Sequence, residues 1–367
     1  MLDRDGKPLQ PCRPGRARQF LKAGRAVVVR HTPFVIRLTG RTVADSTVAG
    51  VEVGLDPGSR HTGIAVFTER GGSRTGKYSI QLDYRGTVIR DKLTARSNYR
   101  RGRRSRKLRY RAPRFLNRTK PKGWLAPSLR HRVDTTMSWV ARQRRWAPVR
   151  AIHVERVTFD THAISAGKPL EGIDYQQQFL RSKPARLARI LQQAKAPLRD
   201  AAAVNATRWA LWRALTATTL PVATGSGGRT KWNRSRTNAP KSHTLDALHV
   251  GELGQVTGWP GRVLVVRATG RGLYRRTRTD RYGFPRLRLP RIKHVHGFAT
   301  GDLVRATLTT GKHAGIHTGR VAVRTTGSFN ITTATGIRQG INHKHIRLLQ
   351  RADGYSYTTR QENTTER

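Results

Sequence analysis

What this chain has little of narrows its possible roles quickly. A single cysteine, Cys12, excludes an internal disulfide and any Cys-x-x-Cys zinc site. Only 21 residues are acidic against 72 lysines and arginines, a formal charge of +51, and self-repulsion of that size is sustained beside a large polyanion. Nucleic acid is that polyanion. No apolar run approaches the roughly 18 residues that span a bilayer, and no amphipathic anchor accompanies the charge, so no membrane partner is expected. The opening Met-Leu-Asp-Arg-Asp-Gly-Lys lacks the apolar stretch of a secretory signal, which leads to the expectation of a cytoplasmic protein. The Gly-Lys-Ser/Thr spacing of a P-loop is missing too, and nucleotide hydrolysis is not expected.

What is present, 367 residues and 41.2 kDa, suffices for two or three modest domains with a real core. Residues 14–24 read as a short basic helix stopped by glycine, and 26–30 and 34–38 as two short strands. Val51, Val53 and Leu55 alternate with Glu52 and Gly54, and Ile64 and Val66 repeat the alternation after a Pro57-Gly58-Ser59 turn. Further strand is expected over 78–82 and 86–91. From 92 to 118 the chain carries arginines on every face of any helix it forms, interleaved with Leu93, Tyr99, Leu108, Tyr110 and Phe115. That is either a solvated arm or, as the interleaving favours, an ordered helix against phosphates.

Residues 125–147 have helical apolar spacing with Trp139 and Trp146 at the flank, and 149–157 read as a strand. Helices over 184–196 and 197–217 both open at proline. Residues 225–236 read as a glycine-rich basic loop, either a plain flexible linker or a strand guide in which Trp232 stacks on a base. Ser242 caps a helix that carries His243 and Asp246 on one face. Beyond 256 the pattern is of basic strands, and the tail from about 361 is expected to fray. His294 and His296, like His313 and His317, have metal-like spacing, but without cysteines or neighbouring acids they are not expected to hold an ion.

Asp56 ends one strand beside glycines that let another backbone approach closely, and Glu155 ends a later strand. An Asp before Pro-Gly is also a common turn former, and a lone glutamate on a strand is commonly a surface residue. Taken with His243 and Asp246, however, they make a set. Two-metal phosphodiester hydrolysis needs carboxylates around cations about 4 Å apart, and an imidazole nearby to position or deprotonate water.

The segments 54–59 with 62–65, Val154-Glu155-Arg156, and 241–247 resemble the three split segments of a RuvC-like nuclease. The arginine run resembles the bridge helix inserted between the first two. The whole chain is similar to the transposon-encoded IscB/IsrB family, with Gln10 standing where its PLMP motif has methionine. No HNH insertion separates Glu155 from His243, so the resemblance is to IsrB.

The resemblance implies an α/β fold: an RNase H-like (RuvC) mixed sheet split into three segments. The implied layout is an N-terminal PLMP-like domain (1–48), segment I (49–91), an arginine-rich bridge helix (92–120), segment II (121–180), segment III (181–255) and a basic β-rich C-terminal region (256–367). It also implies an RNA-guided, Mg2+-dependent endonuclease, with two ions and Mn2+ as a substitute, that nicks the non-target DNA strand. Asp56, Glu155 and Asp246 would be the metal ligands and His243 the residue that activates water. The implied partners are a long structured guide RNA and target double-stranded DNA with a short adjacent motif, the protein being monomeric in a prokaryotic ribonucleoprotein. Expected nucleic-acid contacts are Arg100, Arg101, Arg103, Arg104, Arg106, Lys107, Arg109 and Arg111, with Arg229, Lys231, Trp232 and Arg234 from the later loop. Two alternatives remain: a guide-RNA-binding protein without catalysis, and a guide-free junction nuclease.

Overall fold

The computed structural model describes residues 1–106, 109–110, 119–156, 197–270, 277–288 and 292–362. The expected helix over 184–196, His162, Lys107, Arg111 and the last five residues lie outside them. Among the described residues no helix is long and apolar enough to cross a membrane.

The chain opens with α1 (Pro14–Lys22) and the hairpin β1 (Ala26–Arg30) and β2 (Val35–Leu38), as the glycine stop and the short apolar runs predict. β3 (Val51–Pro57), β4 (His61–Arg70) and β5 (Ser73–Asp83) follow as an antiparallel meander. α2 (Gly86–Ser105) and α3 (Pro127–Trp146) then lead to β6 (Val149–Glu155), parallel to β3. After the segment outside the described residues come α4 (Pro197–Thr216), β7 (Val222–Gly225) parallel to β6, α5 (Gly227–Arg236) and α6 (His243–Leu248). β8 (Gln255–Gly258) and β9 (Arg262–Ala268) pair with β5.

Beyond β9 lie the hairpins β10 (Thr277–Thr279) with β11 (Pro285–Arg288) and β12 (His294–Val295) with β13 (Phe298–Ala299). An antiparallel sheet of β14 (Leu303–Leu308), β15 (Gly315–Ala322), β16 (Ser328–Thr333), β17 (Gly336–Asn342) and β18 (Ile346–Gln350) follows, with its own core around Val304, Phe329 and Ile331. The chain then returns: β19 (Tyr355–Gln361) lies antiparallel to β9, with Tyr355 opposite Ala268. The central mixed sheet thus has the order β19-β9-β5-β4-β3-β6-β7, with β8 also on β5, and the fold is mixed α/β.

Alternation assigns the two faces of that sheet. Val53, Leu55, Ile64, Leu82 and Ile152 point to one side and are covered by Val140 of α3 and Leu211 and Leu215 of α4. Trp139, expected at the flank of its helix, is fully buried at the centre of this layer. Tyr355 and Tyr357 of β19 meet its ring edge-on at 5.6 and 6.3 Å, a long-range cover that local spacing does not reveal. On the other face α6 lies directly across β3 and β4. A Cβ on Gly54 would stand 1.8 Å from the Ala247 carbonyl oxygen, and one on Gly63 1.7 Å from that of His243, so only glycine permits this approach.

Three other expectations are corrected. Residues 86–91, read as strand, are the first turns of α2, because the lysines and arginines that follow are good helix formers and carry the helix backwards over Val88 and Ile89. Within the glycine-rich stretch 225–236, Gly227–Arg236 is helix rather than loop: Ser226 Oγ accepts from the Arg229 amide at 3.2 Å, and Asn233 Nδ2 donates to the carbonyls of His249 and Gly251 at 2.8 Å each. These bonds outweigh the roughly 1 kcal/mol that each helical glycine costs. Finally, Gln361 is still strand and Glu362 is buried, so fraying does not begin there.

Gln10, the departure from the PLMP pattern, donates its amide to the Gly50 carbonyl at 3.1 Å.

Candidate active site

The ends of β3 and β6 bring Asp56 and Glu155 together. Leu55 pairs with Val154, and each acid is the next residue on its strand, facing the side that α6 covers. α6 adds the other two groups. Ser242 caps it by accepting from the Leu245 amide at 3.2 Å, as its sequence predicts, and His243 and Asp246 then face the strand ends. His243 Nδ1 lies 2.5 Å from Asp56 Oδ2. His243 thus meets Asp56 directly, and Glu155 and Asp246 stand near enough for the Asp56 charge to raise both.

Their electrostatics are those of crowded acids. Burial, reinforced by the Asp56 charge and opposed by Arg208, pushes the Glu155 carboxyl up to about 7. Burial and then Asp56 raise Asp246 as well. Each acid has a nitrogen partner: the His243 imidazole on Asp56, the Arg208 guanidinium on Glu155 at 3.2 Å, and the Arg234 guanidinium on Asp246. Arg208 Nε also donates to the Pro57 carbonyl at 3.2 Å. Two arginines therefore bring positive charge to the acids. An oxygen-only set of carboxylates whose mutual repulsion raises their proton affinity fits a hard divalent cation, which would relieve that repulsion.

Among the described residues, the trio of metal-ligating types whose ligand atoms lie within 4.8 Å of one another is a different one: Glu52, Glu69 and His153. Arginines already satisfy it. Glu52 accepts from His153 at 2.7 Å and from Arg150 at 2.6 Å, and these bonds, the His153 one foremost, lower its pKa against the opposing effect of burial. The fully buried Arg74 bonds Glu69 at 2.7 Å and the Leu248, Val250 and Glu252 carbonyls. This is an ion-pair network holding α6 and its following turn to the sheet.

Sequence reasoning passed over several residues at the site. His61 stands with its ring 6.2 Å from that of His243 and its Nδ1 2.7 Å from Asp83 Oδ1. Arg208 gave no signal, because the arginines around it are many. Arg234, expected on nucleic acid, turns inward to Asp246. Glu362 accepts from Ser242 Oγ at 2.6 Å and Thr244 Oγ1 at 2.8 Å, bracing the start of α6. Its distance along the chain hid it.

The other expected nucleic-acid contacts are spread over two surfaces. Arg100, Arg101, Arg103, Arg104, Arg106 and Arg109 are exposed; Arg103 also donates to the Gly283 carbonyl at 2.9 Å, and Arg106 stacks on Tyr282 and Phe284 at 4.5 and 4.8 Å. The β10–β11 hairpin thus covers one face of α2. Arg229 and Trp232 stack at 4.7 Å, and Lys231 is exposed beside them.

Residues 1–178 match the family model described as RRXRR protein. The RRXRR match spans Asp56 and Glu155 and includes Arg100-Arg101-Gly102-Arg103-Arg104, which spells that pattern; His243 and Asp246 lie beyond it. Two similar solved structures are of RuvC from Thermus thermophilus. One, in complex with Holliday junction substrate, is 15% identical over 55% of this chain and 89% of that one, with a TM-score of 0.27. The other is 16% identical over 55% and 90%, also with a TM-score of 0.27. Likeness at this level carries nothing about the residues of the site. No curated protein matches the chain.

Proposed function

We propose that this protein is an RNA-guided DNA endonuclease that nicks one strand by metal-supported phosphodiester hydrolysis. The convergence of Asp56, Glu155, Asp246 and His243 at one strand edge carries the reading. The strand order, an antiparallel meander with two parallel strands added beside its first, suits the RNase H-like sheet of a RuvC nuclease. The RRXRR match and the +51 charge support a nucleic-acid partner. IsrB-like guide use and nicking of the non-target strand follow from the sequence resemblance.

Asp56, Glu155 and Asp246 would hold Mg2+, or Mn2+ in its place, with His243 beside them. The ions supply Lewis-acid stabilisation of the charge that develops on the phosphate and on the departing oxygen. His243 does the proton work. With Nδ1 donating to Asp56, the other ring nitrogen takes a proton from water as the water oxygen bonds phosphorus and the phosphorus–oxygen bond on the far side breaks. Arg208 and Arg234 keep Glu155 and Asp246 from standing as uncompensated buried charges.

One experiment tests the whole reading. RNA that co-purifies with the protein is sequenced, and the complex is incubated with a matching duplex, each strand labelled separately, with and without Mg2+. A nick confined to one strand, dependent on Mg2+ and absent in Asp56→Ala, is expected. Cleavage retained in Asp56→Ala removes the site assignment, and cutting of branched DNA without RNA favours the guide-free nuclease.

A further inference from the structure

Two groups of aromatic rings overlaid by arginines stand on the elements that carry or hold the acids, one joining β6 and α4, the other on α5. Arg156 follows Glu155, and its guanidinium lies 4.0 Å from the centroid of Trp209 and 4.6 Å from that of Trp212. Trp209 is 38% exposed and directly follows Arg208, which holds Glu155. On α5, Arg229, Trp232 and Arg236 share one outward face at helical spacing, with the guanidinium groups 4.7 and 4.5 Å from the indole centroid. Trp232 is 50% exposed, and Arg234, on the inward side of the same helix, holds Asp246. The two groups are tied at their bases, since the Arg156 amide donates to the Gly225 carbonyl at 2.8 Å just before the Ser226 cap of α5.

Exposed tryptophans are costly to leave in water, and arginines laid over them form flat cationic surfaces. Such surfaces suit nucleobases whose faces are open and whose phosphates lie close by. A duplex hides those faces. We infer that the Arg156–Trp209–Trp212 group and the Arg229–Trp232–Arg236 group form a two-part stacking platform for an unpaired DNA strand, seating it across the acid pair. The inference rests on the nuclease reading and adds how the strand is presented to it.

Stacking and charge separate by their salt dependence. Each arginine that neutralises a phosphate of a single strand contributes about 0.7 to the slope of log affinity against log salt, whereas a stacked base contributes none. The test uses the RNA-loaded protein in EDTA, so that no cutting occurs, with a short unpaired mixed-sequence oligodeoxynucleotide as the probe and the same sequence in RNA for comparison. Trp209→Ala and Trp232→Ala are each expected to weaken DNA binding about tenfold with the slope unchanged. Trp→Phe at either position should restore most of the affinity, and Arg229→Ala should flatten the slope. Wild-type affinity in the double alanine variant, a flattened slope in the tryptophan variants, or a loss confined to RNA would each overturn the platform. Nicking with Mg2+ is scored separately. If the wild type nicks and the double variant binds normally, the platform fails alone; if no form nicks yet the tryptophan variants lose DNA, the nuclease reading fails alone.

Discussion

His243 Nδ1 and Asp56 Oδ2 lie 2.5 Å apart although one closes a strand and the other opens a helix far along the chain. The bond fixes which ring nitrogen carries the proton. Asp56→Asn replaces the carboxylate of that contact with a neutral amide, which holds the imidazole and any cation less strongly. Nicking should fall by at least about a thousandfold, while His243→Ala should lose about a hundred- to ten-thousandfold. Single-turnover rates on a strand-labelled duplex measure both, and a His243→Ala rate within threefold of wild type would deny the imidazole its role.

Gly54 and Gly63 set how closely α6 approaches the sheet. An alanine at Gly54 puts its methyl carbon 1.8 Å from a backbone oxygen, a clash that no side-chain rotation relieves. Gly54→Ala and Gly63→Ala should each destabilise the protein by about 3 kcal/mol or more and misplace His243 and Asp246 together. Gly102→Ala, with open space around it, serves as the control. Denaturant unfolding of the three variants gives the comparison.

The elevated Glu155 pKa makes a statement about stability and pH. Its ordinary value is 4.5 and its folded value about 7, so the folded state holds the proton more tightly than the unfolded one. The stability this confers is full below about 4.5 and is lost as pH rises through about 7. In EDTA, wild type should therefore lose up to about 3 kcal/mol relative to Glu155→Gln between pH 5 and 8. Taking the difference between the two proteins cancels the half-buried His131 and the buried His249, whose values, lowered chiefly by desolvation, act in the opposite sense. A difference that stays flat across this window contradicts the crowding of the acids.

The arginines of α2 should divide into two kinds. Replacing Arg100 and Arg101 together should weaken RNA binding and flatten its salt slope by about 0.7 to 0.9 per lost phosphate contact. Arg103→Ala should instead loosen the β10–β11 hairpin, whose Gly283 carbonyl it holds, and leave the slope nearly unchanged. Filter binding over a salt series separates these outcomes.

Glu362 is 1% exposed and accepts from the two hydroxyls at the start of α6. Glu362→Ala leaves Ser242 and Thr244 without that acceptor and should cost about 2 kcal/mol. Because the cap carries His243, kcat should drop more than KM rises. Thermal unfolding and a substrate titration report the two effects.

The core strands, and the strand end or helix on which each of the four candidate residues stands, could be read in advance because local alternation and capping specify them: Val51, Val53 and Leu55 face one way, and Ser242 caps the helix that carries His243 and Asp246. What escaped depends on contacts between distant segments. Trp139 is central because β19 returns over it; Gly227–Arg236 is helical because Asn233 finds the carbonyls after α6; Glu362 is ordered because α6 offers it two hydroxyls. Arg208 and Arg234 were hidden by number, since composition does not tell an arginine that turns inward from one that meets phosphate.

Ala268 and Tyr355 sit opposite one another on neighbouring strands, about 5 Å apart, so everything between them leaves and re-enters the sheet at a single doorway. The five-stranded module beyond that doorway has a hydrophobic centre of its own. A different module could be grafted between the same two strands without redrawing the ladder beneath the acids. In such a chain, the inserted module and the sheet that carries the acids can change independently.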